Sequence, residues 1–234
     1  MFFATTDRSM LAGPPEPPMS SADAEDAIVL PESEPTTPAA APEPSPRWEW
    51  RSFDYRPQLW QEALRGAAAA GSGALTAETY LLTRQSTSNV KLRDDRVEVK
   101  RLLQTDGAGL EQWRPVLKAA FPLAPNVLAE LCDHWQRPRP DVCPLLPTSE
   151  HLLSFLARQA PDVRVIPLRK WRRAYRLHEC TAERATVLVD GGLLETLSLE
   201  QADPALLLAA LQTLHLDKER NTNYVLALKR LVGW

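Results

Sequence analysis

Apolar and polar positions alternate with a period of two in short runs over residues 75–103 and again over 163–200. That period predicts strands in both stretches. In the first, runs at 75–83, Asn89–Arg93 and 97–103 read as strands, and Asp94 and Asp95 suit a turn between the last two. Upstream, Leu59, Trp60, Ala63, Leu64 and Ala67 recur at helical spacing behind Pro57, a residue suited to the first helical position. Residues 68–73 are small and read as a loop. Residues 107–123 leave two readings open: Trp113, Val116, Leu117 and Phe121 ask for burial, while Pro115 interrupts a helix. Helices are expected at 124–135 and Ser149–Gln159, joined by a connector over 136–147 that holds four prolines. The period of two then returns at 163–166, 171–180, 183–190 and 193–200, with Gly191-Gly192 marking a hairpin turn. Asp203 followed by Pro204 supplies an N-cap and a first-turn proline for a helix over 204–214, and a last helix spans about 222–231. Two β-rich groups separated by helices predict an α+β body: an antiparallel β-barrel or tunnel of seven or eight strands with helices packed outside.

Composition divides the chain in two. Residues 1–46 hold ten of the 21 prolines and eight acidic residues against one basic residue, Arg8. Such a segment cannot bury enough apolar surface to offset its ordering entropy, so a disordered Pro-rich acidic tail is expected over 1–46, before a domain over 47–234. The tail carries a charge of −7 and the remainder +4. The tail either raises solubility or visits a basic cavity in cis. Met1-Phe2-Phe3 is too short an apolar run for a signal peptide, and no run approaches 18 residues, so no membrane span and a cytoplasmic location are expected. Cys132, Cys143 and Cys180 lack metal-ligand spacing and do not cluster with His134, His151, His178 or His215; neither a disulfide framework nor a zinc site is expected. Without a Lys/Arg-rich arm, nucleic acid is not the expected partner.

The candidate chemistry lies in the strands. Asn89, Lys91 and Arg93 alternate and share one face, and antiparallel pairing with the next run brings Lys100 to the same surface. A row of fixed cations either meets an anion or is the wet face of a one-sided sheet. These residues, with Tyr80-Leu81 before them and Arg172-Arg173-Ala174-Tyr175-Arg176 and a strand ending in Asp190 after them, resemble the CYTH, or triphosphate tunnel, superfamily. So do Glu195 and Glu200 in the strand that follows, and Asn223-Tyr224 opening the last helix. The resemblance spans residues 47–234 and rests on the order of the pieces.

That resemblance implies a closed tunnel whose cations hold phosphate oxygens and whose carboxylates hold Mg or Mn. The implied phosphate-binding residues are Lys91, Arg93, Lys100, Arg173 and Arg176. Arg173 and Arg176 stand three apart and cannot share a strand face; Arg172 and Lys170 have the parity of Arg176. Glu111, Arg114 and Lys118 are further cavity candidates by family position. Glu49 and Glu195 are the implied catalytic carboxylates, and Glu49, Glu195 and Asp190 the implied metal ligands. Each has a second reading, Glu49 and Glu195 as ion-pair partners inside the barrel and Asp190 as a turn residue. The family's first strand reads E-x-E-x-K, whereas this chain offers Arg47-Trp48-Glu49-Trp50-Arg51; likewise Leu197 stands where a second Glu is expected after Glu195. Trp48 and Trp50 are expected to pack outward against helices. With the cationic side better kept than the metal side, the expected function is binding of triphosphate, polyphosphate or another phosphorylated small molecule with weak metal binding and hydrolysis weak or absent. The alternative is a metal-dependent triphosphatase or nucleotide cyclase.

Overall fold

The computed structural model describes residues 45–71 and 73–234. The expected disordered tail therefore lies almost wholly outside the described residues. The elements run β1 (Arg47–Ser52), α1 (Pro57–Ala63), β2 (Ala68–Ala69), β3 (Ala74–Leu82), β4 (Asn89–Arg93), β5 (Arg96–Thr105), β6 (Glu111–Ala120), α2 (Pro125–His134), α3 (Ser149–Gln159), β7 (Arg164–Leu177), β8 (Cys180–Val189), β9 (Gly192–Gln201), α4 (Pro204–Thr213) and α5 (Tyr224–Leu231). All pairings are antiparallel. Strands β7-β3-β4-β5-β6-β1-β9-β8 lie in that order, and β8 pairs back onto β7, closing an eight-stranded barrel. Two-residue β2 adds to the edge of β7 within the segment expected to be a loop.

Three hairpins turn on two residues with positive φ at both positions: Asp94-Asp95, His178-Glu179 and Asp190-Gly191. This is the turn whose twist matches that of the flanking strands. Aspartate and glycine signal it in sequence; His178-Glu179 does not, which is why the expected strand over 171–180 runs past its true end. The stretches 163–166 and 171–177 also prove to be one strand. Pro167 interrupts the pattern, yet it pairs opposite Thr79 and sits one residue before β8 joins at Leu168. Pro115 likewise lies in β6 beyond its last pair with β1 and beside a register shift against β5. Prolines are tolerated at such edges and irregularities, and this resolves residues 107–123 as largely strand.

Outward faces pack on helices. Trp48, Trp50, Leu197 and Leu199 join Trp60 and Ala63 of α1 and Leu207, Ala210 and Leu211 of α4 in one core. Leu81, Val90, Leu92, Val97 and Val99 join Leu128 and Leu131 of α2 and Leu152 and Leu156 of α3 in a second. The barrel interior is apolar at one end, where Leu82, Ile166, Leu168, Val187 and Val189 meet Tyr224, Val225 and Leu228 of α5. Helix α5 thus closes that end, and the charged inward residues occupy the rest. Among the described residues no helix is long and apolar enough to cross a membrane.

Candidate functional site

Alternation along each strand decides what the barrel encloses. Glu49 and Arg51 from β1, Asn89, Lys91 and Arg93 from β4, Glu98 and Lys100 from β5, Lys170 and Arg172 from β7, Glu183 from β8 and Glu200 from β9 line one cavity of about 170 Å³. Tyr80, Trp113, Asn223 and Tyr224 complete its wall. The lining carries six cations against four carboxylates. Glu78, its side chain fully buried, stands behind them on β3.

These charges form a continuous network. Glu78 lies 3.4 Å from Lys91 Nζ, 3.6 Å from Arg93 Nη1 and 3.6 Å from Lys170 Nζ. Arg93 Nη2 donates to Glu98 Oε1 at 2.9 Å, and Lys91 Nζ lies 3.6 Å from Glu98. On the other side Lys170 and Arg172 approach Glu183 at 3.6 and 3.7 Å, and Arg51 Nε donates to Glu49 Oε1 at 2.7 Å. Lys100 alone among the lining cations makes no ion pair with a described residue. Tyr224 stacks on Tyr80, with ring centroids 5.5 Å apart, and carries Arg51 and Lys170 over its own ring at 4.7 and 4.9 Å.

The electrostatics follow from burial and neighbours. Burial alone would raise the Glu78 carboxyl, but Lys170, Lys91 and Arg93 outweigh it and hold it below the usual range. Glu49 is likewise buried and still held low, by Arg51 and then Lys100. Burial pushes the Lys91 ammonium down to about 8, opposed by Glu78 and reinforced by Lys170 and Arg93. Glu200 is raised by burial and by the charge of Glu49 directly opposite it. Burial also raises Glu111, which accepts from Asn223 Nδ2 at 2.8 Å and from Trp113 Nε1 at 3.1 Å.

Four buried polar atoms at this site have no hydrogen-bond partner among the described residues: Glu78 Oε1, Asn89 Oδ1, Arg93 Nε and the Tyr224 hydroxyl. Asn89, Arg93 and Tyr224 line the cavity, whereas Glu78 Oε1 lies behind it, within 3.6 Å of Arg93 Nη1 and Lys170 Nζ.

Of the residues singled out in the sequence, Glu49, Lys91, Arg93 and Lys100 converge on the cavity. Four others do not. Glu195 turns to the outer face of β9, where it accepts from the Thr186 hydroxyl and pairs with Arg184 at 3.5 Å. Leu197 shares that face and packs on α4, so the inward residues of β9 are Thr196, Ser198 and Glu200: a one-residue slip exchanges the faces of a strand. Arg173 points outward beside Trp171, Tyr175 and Arg184. Arg176 has the inward parity but pairs with Ala68 and Thr181 at the far end of β7 and is exposed, outside the cavity lining. Asp190, at φ 49, is the first turn residue of the β8–β9 hairpin. Glu111 faces inward and Lys118 reaches Glu98 at 3.7 Å, while Arg114 stays off the cavity wall. Sequence reasoning did not single out Glu78, Glu98 or Glu183, and it left Arg51 and Glu200 at the margin. The strand parity of Lys91, once β3 and β5 are registered against β4, was the available signal.

The ligand set Glu49, Glu195 and Asp190 therefore does not assemble. Among the described residues there is no group of three His, Cys, Asp or Glu side chains placed to hold a metal ion, and Glu49 is already engaged by Arg51. That implied set does not fit a divalent ion.

No family model and no curated protein matches the chain. Solved structures do. A conserved hypothetical protein of Pyrococcus furiosus aligns over 76% of this chain and 98% of its own at 13% identity and a TM-score of 0.44. A putative adenylyl cyclase of Hippeastrum, described as revealing a dominant triphosphatase activity, covers 73% of this chain and 88% of its own at 13% identity and TM-score 0.40. A putative adenylate cyclase of Bacillus halodurans covers 76% and 94% at 13% identity and TM-score 0.42. These likenesses are remote and concern the fold alone. By its own geometry the chain is a closed antiparallel barrel with outer helices and an inward row of cations.

Proposed function

We propose that the barrel interior binds a triphosphate- or polyphosphate-type anion, with hydrolysis weak or absent. What carries this reading is the convergence of Lys91, Arg93, Lys100, Lys170 and Arg172 on one enclosed space whose wall also holds unpartnered buried polar atoms. A polyanion accepts charge-assisted hydrogen bonds from several cations at once, and these are about twice as strong as neutral ones. Lys100 and Arg93 Nε are the donors with capacity to spare. Most of the other cations are shared with carboxylates, so binding exchanges part of an internal ion pair for a phosphate contact. That exchange makes affinity moderate and strongly dependent on salt.

Isothermal titration of inorganic tripolyphosphate into the full chain tests the reading. One saturable site, weakened in Lys91→Ala and Arg93→Ala, supports it; unchanged affinity in both variants sinks it.

A second reading is metal-dependent triphosphate hydrolysis or nucleotide cyclisation, favoured by the inward carboxylates Glu49, Glu183 and Glu200. Phosphate release from tripolyphosphate and ATP with Mg²⁺ or Mn²⁺, beside a Glu49→Gln control, separates the two. Robust metal-dependent turnover that the control abolishes would establish the enzyme.

A further inference from the structure

Three carboxyl groups stand abreast inside the barrel: Glu111, Glu49 and Glu200 lie directly opposite one another across β6, β1 and β9. Like charges in such cross-strand positions repel, so the row needs a cation or must keep protons. We infer that the Arg51 guanidinium is the resident cation of this cluster, holding the place a divalent ion would take, so that the tunnel takes its anion without metal and Arg51 sets that preference.

The placement of Arg51 carries the argument. It follows Glu49 by two residues on the same face of β1, and it is only 5% exposed. Its Nε donates to Glu49 Oε1 at 2.7 Å, its Nη1 donates to Thr196 Oγ1 at 3.3 Å, and Nη1 lies 3.9 Å from Glu183 Oε1. The plane sits over the Tyr224 ring at 4.7 Å. Its backbone is fixed as well, the amide donating to Asn221 Oδ1 at 2.9 Å and the carbonyl accepting from the Thr222 amide at 2.6 Å. A side chain pinned on this many sides does not swing away to admit an ion. Divalent ions need several oxygen ligands at roughly 2.0–2.6 Å. Here one Glu49 oxygen is committed to Arg51, and Glu111 is occupied by Asn223 and Trp113. An arriving Mg²⁺ or Mn²⁺ would also meet the guanidinium charge at close range in a buried setting. Glu49 thereby becomes the counter-ion of Arg51 rather than a metal ligand.

The part of this inference that concerns the anion rests on the binding reading above; the part that concerns metal does not. The test uses the full chain, with Mn²⁺ binding followed by electron paramagnetic resonance and tripolyphosphate binding followed by calorimetry. Wild type is expected to bind no stoichiometric Mn²⁺ and to bind tripolyphosphate at least as tightly in EDTA as in Mg²⁺. Arg51→Met, which keeps length and removes charge, is expected to bind Mn²⁺ at least tenfold more tightly than wild type. Glu49→Gln, isosteric and expected to fold, should keep or strengthen tripolyphosphate binding because it releases Arg51. A tenfold tightening of the anion by Mg²⁺, loss of binding in Glu49→Gln, or a folded Arg51→Met without gain in Mn²⁺ affinity would each overturn the inference. Should Arg51→Met fail to fold, the wild-type comparison and Glu49→Gln decide. If wild type binds no tripolyphosphate in either buffer, the anion reading falls, and the Mn²⁺ measurements still decide whether Arg51 holds the cluster.

Discussion

Glu78 and Lys91 both favour the folded state as pH rises, one in the acid range and one in the alkaline range. Glu78 is the hub of three cations and has a fully buried side chain. Removing its charge leaves buried ammonium and guanidinium groups under-compensated, and breaking a buried pair in this way costs about 3 kcal/mol or more. Glu78→Gln should therefore lose about that much stability in urea unfolding; a loss below about 1 kcal/mol would mean the network is solvated. Because the folded Glu78 carboxyl lies below its ordinary value, its stabilising share is complete above about pH 4.3 and is lost as pH falls through the folded value. Lys91 shifts stability in the same direction, in a higher pH range. With its ammonium pushed down to about 8, the unfolded chain binds the proton more tightly, so this residue's penalty to folding is relieved as pH rises from about 8 towards about 10.4. Anion affinity needs the charged form and should fall as pH rises through about 8. Lys91→Arg, always charged, should remove that inflection in a titration series, whereas an identical profile would assign it elsewhere.

Strands decide which of two neighbouring residues reaches the cavity, and here the sequence spoke unevenly. Strand β4 was legible because Asn89, Lys91 and Arg93 alternate with buried Val90 and Leu92, and Asp94-Asp95 announces its turn. The Asp203 cap, whose side chain accepts from the Ala205 amide, was legible as a short polar residue before Pro204, whereas Asn223, which accepts from the Leu226 amide, stood out only through the family order of the pieces. Strand β9 was not legible, because Glu195 shares the outer, leucine-bearing face with Leu197 and Leu199, and a family pattern registered one residue out selects that wrong face. In β7 the run Lys170 to Arg173 is cationic or aromatic at every position, so alternation gives no contrast; burial inside a closed barrel, a property of the whole ring, supplies it. The consequence is checkable. Arg172→Ala should weaken tripolyphosphate binding at least about threefold, while Arg173→Ala and Glu195→Gln should leave it within about twofold. Equal effects at Arg172 and Arg173 would contradict the strand parity described above.

Closing the sheet on itself is what turns separate cationic strands into one site. No single hairpin holds the constellation: Lys91 and Lys100 come from one half of the chain, Lys170 and Glu183 from the other, and α5 closes one end with Tyr224 against Tyr80. The interior is nearly balanced in charge, so an anion must compete with built-in carboxylates, and its affinity should fall several-fold between about 50 and 500 mM salt as screening tightens. Lys100 has no ion-pair partner within 4 Å among the described residues, acting on Glu49 and Glu200 only at longer range, so it has the least internal pairing to give up to a guest. The deciding measurement is calorimetric titration of tripolyphosphate into the full chain and into Lys100→Ala. The barrel described here requires one site per chain and at least about a tenfold loss of affinity in the variant, roughly 1.4 kcal/mol. Binding that is absent in wild type, or indifferent to Lys100, would contradict a tunnel built to hold a phosphate anion.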